Sequence, residues 1–319
     1  MNICVKCGFS CKAKCPFTET AEGLLCARCN KLEESFELKM ELKKTVCHFG
    51  AGAAKAESQY ANFVKSYADS IDANVISFGL DCNFFQAADE IKRAHFVFIW
   101  NGMQGKSPLA KALCEARGIP HIFFEWGMLP QKETFFLDPK GFCGDSILNS
   151  HLSWVTENDM KNLYKKRAEL QEKYPIRDEG YVLVPLQIEC DSQVLYYSNY
   201  KTMNDFIEQV ELLYPKAEKI IVRPHPKGGK NKITKRAIVS SDGDFLEVAS
   251  KASVIVGITS TCLYEAGILG KPVVALGNHP LRKHNFLEHD KVLAGALALT
   301  VERTGTPNLI LDRFNLKPI

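Results

Sequence analysis

Four cysteines stand in two tight pairs near the start of the chain, Cys4-Val5-Lys6-Cys7 and Cys26-Ala27-Arg28-Cys29, with eighteen residues between them. Each pair can present two thiolates from one turn, and two pairs complete a tetrahedron around one ion. The spacing therefore predicts a structural Zn2+ site with Cys4, Cys7, Cys26 and Cys29 as ligands. So short a segment buries too little apolar area to fold alone, and the metal supplies the difference. Cys11 and Cys15 lie between the pairs with no assigned role, and most of the six scattered cysteines read as small buried hydrophobes.

Four more constellations sit where apolar runs end. Glu125, in Phe124-Glu125-Trp126-Gly127, closes one such run. A carboxyl held against a tryptophan has a raised pKa and suits general acid or base work, whereas a solvent-facing glutamate would do nothing. Pro185 to Ser192 offers Gln187, Glu189 and Asp191 in a strand-end loop, where either acid can be catalytic or the aspartate can simply cap a helix. Arg223-Pro224-His225-Pro226 holds His225 extended between prolines, fit to donate to a phosphate or protonate a leaving group. Gly257 to Thr261 places Thr259, Ser260 and Thr261 before a helix that carries Glu265. Such a helix start is an anion site, and Glu265 one turn in can take ribose hydroxyls.

Two further patterns receive plain readings. Asp242-Gly243-Asp244 has the form of a metal-binding DxD, but Asp244 and Glu247 read as a capping box for the next helix. Gly50-Ala51-Gly52 lacks the third glycine of a dinucleotide loop and reads as a close backbone approach.

The elements that must position these groups alternate in the βαβ manner. Strands are predicted at Thr45–Phe49, Asn74–Phe78, His95–Trp100 and His121–Glu125, with helices at 56–71, 85–94 and 108–117, as one parallel sheet. The stretch 129–150 breaks the pattern, and helix 157–173 follows. A second winding runs through strands 181–185, 219–223, 254–257 and 272–276, with helices 203–214, 245–252 and 262–269. The expected class is α/β, two Rossmann-like lobes behind a zinc ribbon. The divisions are 1–31, the ribbon; 32–150, the first lobe; and 151–319, the second lobe. Ligands are expected in the cleft at the carboxyl ends of the strands.

Composition narrows the classes. A formal net charge of +3 in 319 residues does not announce a nucleic-acid or membrane-surface protein. No targeting segment or membrane-length apolar run is read, so the expected compartment is the cytoplasm, where thiols stay reduced.

In motif order the chain resembles the capsule-polysaccharide and lipopolysaccharide glycosyltransferases that use CMP-Kdo, the retaining β-Kdo transferases of GT-B layout. The residues that carry the resemblance are Glu125-Trp126-Gly127, Gln187 to Asp191, His225-Pro226, and Ser260 to Gly270-Lys271-Pro272. The resemblance implies Asp191 as nucleophile, Glu125 as acid/base and His225 at the leaving phosphate. It further implies Gln187, Thr259, Ser260, Thr261 and Glu265 around the nucleotide sugar, with Arg223 or Lys227 meeting a donor carboxylate and no catalytic metal. The ribbon is a departure from that family. The expected partners are a nucleotide-sugar donor, on the 151–319 lobe, and a saccharide acceptor, on the 32–150 lobe. An acceptor in modified DNA is the second reading, from the ribbon and the basic loop Lys227, Lys230, Lys232, Lys235, Arg236. A sugar-nucleotide epimerase and a non-enzymatic ribbon module are the others.

Overall fold

A computed structural model describes residues 43–50, 58–228 and 236–318, and the backbone alone of 2–3, 10–11, 17–20 and 23–26. The short N-terminal strands form two antiparallel pairs, β1 (Asn2–Ile3) with β2 (Ser10–Cys11) and β3 (Phe17–Thr20) with β4 (Gly23–Cys26). The zinc assignment to Cys4, Cys7, Cys26 and Cys29 falls on side chains outside the described residues.

The first large sheet contains β5 (Lys44–Phe49), β6 (Ala73–Phe78), β7 (Phe96–Trp100), β8 (His121–Trp126), β9 (Thr134–Asp138) and β15 (Thr300–Glu302), in the order β15-β9-β8-β7-β5-β6. Helices α1 (Gln59–Ser70), α2 (Phe84–Arg93) and α3 (Ser107–Arg117) connect its parallel strands. The four strands that the sequence predicts, β5 to β8, pair in parallel as expected, but two strands that it does not predict extend the sheet through antiparallel pairings, so the whole sheet is mixed. β9 runs antiparallel to β8, and β15 runs antiparallel to β9. The Pro, Gly and Asp around residues 129–150 hide β9, yet all five of its residues are buried.

Helix α4 (Glu157–Lys173) opens on a capping box between Thr156 and Asp159 and leads to the second sheet. That sheet is parallel throughout and holds β10 (Tyr181–Pro185), β11 (Lys219–Arg223), β12 (Ala237–Val239), β13 (Val254–Gly257) and β14 (Val273–Ala275), in the order β12-β11-β10-β13-β14. Its helices are α5 (Ser192–Tyr197), α6 (Met203–Leu213), α7 (Phe245–Lys251) and α8 (Cys262–Leu269). After it come α9 (Pro280–Lys283), α10 (His289–Ala298), β15 and α11 (Asn308–Arg313).

Both sheets carry central strands that are apolar on both faces: FVFIW in β7 and YVLVP in β10 are buried at every position. This is the pattern of a parallel sheet covered on both sides. The first core is aromatic. Phe63 on α1 packs on Phe98, Phe124 and Phe135 with ring centroids 5.0–6.3 Å apart. Strand order reverses between β5 and β7 in the first sheet and between β10 and β13 in the second. At such a switch the carboxyl ends of adjacent strands diverge and open a crevice. Gly50, just after β5, takes φ 137°, and a Cβ there would lie 2.2 Å from Trp100 Cβ. Only glycine permits this approach of the two strand ends, as the sequence reading of Gly50 anticipates.

Candidate active site

Glu125 points from the end of β8 into a nest of amides. Its Oε1 accepts from Asn101 Nδ2 at 3.0 Å, and its Oε2 accepts from Gln193 Nε2 at 2.6 Å. Asn101 follows β7 in the left-handed region, φ 59°, and its Oδ1 accepts from Met103 N and Ser192 Oγ. Burial pushes the Glu125 carboxyl up to about 8; the neighbouring Asp191 adds to this, and the N–H groups that the two amides present to it in this orientation oppose it. The group is thus poised to change charge near neutral pH, the property expected of an acid/base.

Asp191 is brought to the same place by the short helix α5. Its Oδ1 accepts from Gln193 N at 2.9 Å, so the capping reading and the functional reading describe one geometry. Gln193 therefore touches both carboxylates, Asp191 through its main-chain N–H and Glu125 through its side chain. Burial raises the Asp191 pKa, while the Gln193 N–H and the nearby His225 pull it down. His225 lies beyond the end of β11. Its Nδ1 accepts from Lys227 N at 3.0 Å, which leaves the proton of the neutral ring on Nε2. Burial lowers its pKa, with Asp191 acting against this and Lys227 with it.

The remaining expected ligand contacts divide. Gln187 and Thr259 are buried and clamp one another at the switch between β10 and β13: Thr259 N donates to Gln187 Oε1 at 2.9 Å, and Gln187 Nε2 donates to Thr259 Oγ1 at 3.1 Å. Their polar atoms join two strand ends. Arg223 donates to the carbonyls of Asp242 and Gly243 at 2.8 and 2.7 Å and so holds that turn. Lys227 is exposed beside His225. Ser260 accepts from Cys262 N at 3.2 Å, while Thr261 makes no side-chain cap. Glu265 faces the first sheet, where its carboxylate accepts from the Leu129 backbone N–H, and burial raises it to about 7.

Two supporting arrangements fix the nest. Asp138, at the end of β9, accepts from Lys140 N, Gly141 N, Ile147 N and Ser146 Oγ, the last at 2.6 Å. It thereby folds the loop that delivers Cys143. The Cys143 thiol donates to Gln193 Oε1 at 2.7 Å, with Thr259 O as a second acceptor at 3.7 Å. On the other side, the Arg303 guanidinium lies 4.1 Å above the Trp126 ring, and Tyr60 packs edge-on to Trp100 and Trp126.

Asn101, Gln193 and Cys143 escape the sequence reading. Neutral amides carry no titration signature, and Cys143 looks like core filler. The one available signal is position, since Asn101 directly follows a fully apolar strand and Gln193 lies two residues after Asp191. The capping box expected of Asp244 and Glu247 is half present: Asp244 Oδ1 accepts from Leu246 N, but Glu247 pairs with Lys251 instead. In the basic loop, Lys230, Lys232 and Lys235 lie outside the described residues. Arg236 is engaged with the carbonyls of Glu211, Tyr214, Pro215 and Ala217 around the end of α6. That is a structural task, and it removes one of the cations on which the DNA reading stands.

Residues 157–281 match the family model described as "Capsule polysaccharide biosynthesis protein". That span includes Asp191, His225 and Ser260 and leaves Glu125 outside. Among curated proteins, the chain is 27% identical over 198 residues to Protein FixF of Sinorhizobium fredii, covering 57% of this chain and 48% of the relative. It is 27% identical over 145 residues to the capsule polysaccharide export protein KpsS of Escherichia coli, covering 39% of this chain and 37% of the relative. The matched regions thus span about half or less of these curated relatives. Among solved structures, the fold is similar to the Thermosulfurimonas dismutans KpsC beta Kdo 2,7 transferase, with TM-score 0.56, 17% identity, 86% of this chain and 99% of that chain. The beta Kdo 2,4 transferase structure of KpsC from the same organism gives TM-score 0.56 and 18% identity over 79% and 89% of the two chains. The chain is therefore similar to proteins of the capsule-polysaccharide type, as its motif order implies. No helix among the described residues is long and apolar enough to cross a membrane.

Proposed function

We propose that this chain is a glycosyltransferase of capsule-type polysaccharide synthesis, moving a sugar from a nucleotide donor to a saccharide hydroxyl with retention. The observation that carries this reading is the meeting of Glu125 and Asp191 on Gln193, at strand ends drawn from two sheets. The likeness of fold to the KpsC beta Kdo transferases supports it. In this proposal the two sheets are the lobes of a GT-B enzyme, divided as 32–150 and 151–319, with β15 returning to the first. The two CxxC pairs hold Zn2+, and the compartment is the reducing cytoplasm. The β1–β2 pairing that brackets the first CxxC pair supports a ribbon.

The chemistry then runs in two displacements. Asp191 attacks the anomeric carbon, forming a C–O bond as the bond to the nucleotide phosphate breaks. The His225 Nε2–H and the α8 helix start, with Ser260 and Thr261, stabilise the departing phosphate. Esterified Asp191 no longer carries charge, so one of the causes that raise the Glu125 pKa disappears and Glu125 ionises more readily. Glu125 takes the proton of the acceptor hydroxyl while that oxygen attacks the anomeric carbon and Asp191 leaves. Gln187 and Thr259 fix the floor of the site, Glu265 and Lys227 border the donor, and Arg223 shapes the turn beside it.

The test is transfer from CMP- and UDP-activated sugars, CMP-Kdo included, to an oligosaccharide acceptor, followed by chromatography. Intact-mass measurement without acceptor should show a glycosyl adduct on the wild type and none on Asp191→Ala. Donor turnover that ignores the acceptor would indicate an epimerase. Failure of every donor would remove the transferase reading.

A further inference from the structure

Glu125 must be satisfied both as a carboxylate and as an acid, and its two amide partners differ in their freedom to follow it. The Asn101 amide is pinned, because its Oδ1 accepts from Met103 N at 3.2 Å and from Ser192 Oγ at 3.3 Å. Reversing it would turn an NH2 group onto the Met103 N–H, which can only donate. The Gln193 amide is held only by a thiol, since its Oε1 accepts from Cys143 Sγ. A thiol is both a weak donor and a weak acceptor. This thiol also has an alternative acceptor in Thr259 O, so it can release the amide without being left unpartnered.

We propose that Gln193 is a positioning residue whose amide reverses with the charge of Glu125, giving N–H to the carboxylate and C=O to the acid, while Cys143 adapts to whichever end it meets. In the charged state the bonds are those of the structure: Cys143 S–H to Gln193 Oε1, and Gln193 Nε2–H to Glu125 Oε2. In the neutral state the proton resides on Oε2 and is donated to the reversed Oε1. The Nε2–H then meets Cys143 Sγ, whose own proton turns to Thr259 O. Asn101 donates to Oε1 in both states, so Oε1 keeps carbonyl character and Oε2 carries the proton. The Gln193 amide turns about its own terminal bond, protons and hydrogen bonds follow, and no other side chain has to leave its place.

The groups that face the nest from neighbouring elements set where this change falls. Asp191 lies in the loop after β10, with His225 beyond it after β11. Tyr60 on α1 couples to Glu125 and in turn to Arg303. Cys143 feels Asp138 and Asp145 as well as the two site carboxylates. The catalytic meaning of the reversal rests on the transferase reading, because an acid/base must hold each charge state without repacking. The reversal itself does not depend on any substrate.

The experiment uses the full chain with no substrate. Glutamine side-chain amides are labelled with 15N and glutamate carboxyls with 13C, and both are followed by NMR from pH 5 to pH 10. Gln193→Met and Glu125→Gln assign the two signals. The expected result is a Gln193 NH2 pair that shifts with the same midpoint as the Glu125 carboxyl. In Gln193→Met the Glu125 midpoint should stay within about half a pH unit, because an amide that serves both states favours neither. In Asn101→Leu it should rise by about one unit or more, because a fixed donor favours the carboxylate alone. A Gln193 signal that ignores the Glu125 titration would overturn the proposal. So would a rise of a unit or more in Gln193→Met, which marks a fixed donor. Transfer activity is not read, so failure here is separable from failure of the transferase reading.

Discussion

Replacing Glu125 by glutamine should make the protein more stable at high pH, and the size of the gain follows from the enclosure of the carboxyl. Its pKa stands near 8 in the folded protein against an ordinary 4.5. The unfolded chain releases this proton as pH passes 4.5, while the folded protein holds it until about 8. The folded state therefore loses stability across that interval, and below 4.5 the loss is absent. At about 1.4 kcal/mol per pH unit the interval sets an upper figure of about 5 kcal/mol, of which relaxation and water entry leave about 2–4 kcal/mol. Glutamine has no proton to lose and escapes this cost. Urea unfolding of the wild type and Glu125→Gln at pH 5 and pH 8.5 measures it as a difference between differences. The other raised carboxyls, Asp138, Asp191 and Glu265, titrate in both proteins and cancel. The variant should gain on the wild type by about 2–4 kcal/mol between the two pH values. A pH-independent difference, or a wild type that gains with rising pH, refutes the raised pKa and with it the acid/base role.

Three further outcomes are expected. Gly50→Ala forces a side chain into Trp100 at a backbone angle that only glycine adopts readily, so it should cost more than about 3 kcal/mol or leave no soluble protein; near-wild-type melting would contradict the close approach. Asp138→Ala strips the acceptor from Lys140 N, Gly141 N, Ile147 N and Ser146 Oγ and should cost about 2–4 kcal/mol in chemical denaturation, with the loop to Cys143 losing amide-exchange protection first. Gln187→Leu removes both bonds of the clamp between β10 and β13, and Thr259→Val removes the one to Oγ1 while keeping the main-chain N–H; each should cost about 1–3 kcal/mol apart, yet clearly less than the sum together, and strict additivity would mean that the two side chains do not share one interaction.

The regular parts of this fold are legible in the sequence because burial writes them plainly. β10, β11, β13, α4 and α8 begin and end where their apolar runs and breakers say. β9 is not legible, because its TFFLD run is bracketed by Pro130 and Pro139 and one of its two edges is paired by residues more than 160 positions away. β12 is too short and too exposed to signal. Within the site, charge is legible and its management is not. Glu125, Asp191 and His225 announce themselves by type and by place at strand ends. The groups that determine what those charges do are a buried asparagine, a glutamine and a thiol, all ordinary core or surface residues until the strands are paired. Gln187 and Thr259 show a second thing hidden from the sequence: polar atoms at strand ends read there as ligand contacts, and the structure adds that each also answers the other.

The return of β15 to the first sheet has a consequence for how the chain is made. β9 has β8 on one side and waits for residues 300–302 on the other. During synthesis the entire second sheet must leave the ribosome before that edge is closed. Until then a run of five residues, two of them phenylalanines, presents free backbone donors and acceptors, which is the template on which chains associate wrongly. Any shortened product that stops between the second sheet and β15 would carry that edge permanently. Such products should collect in the insoluble fraction even though all the carboxylates and amides of the site are present.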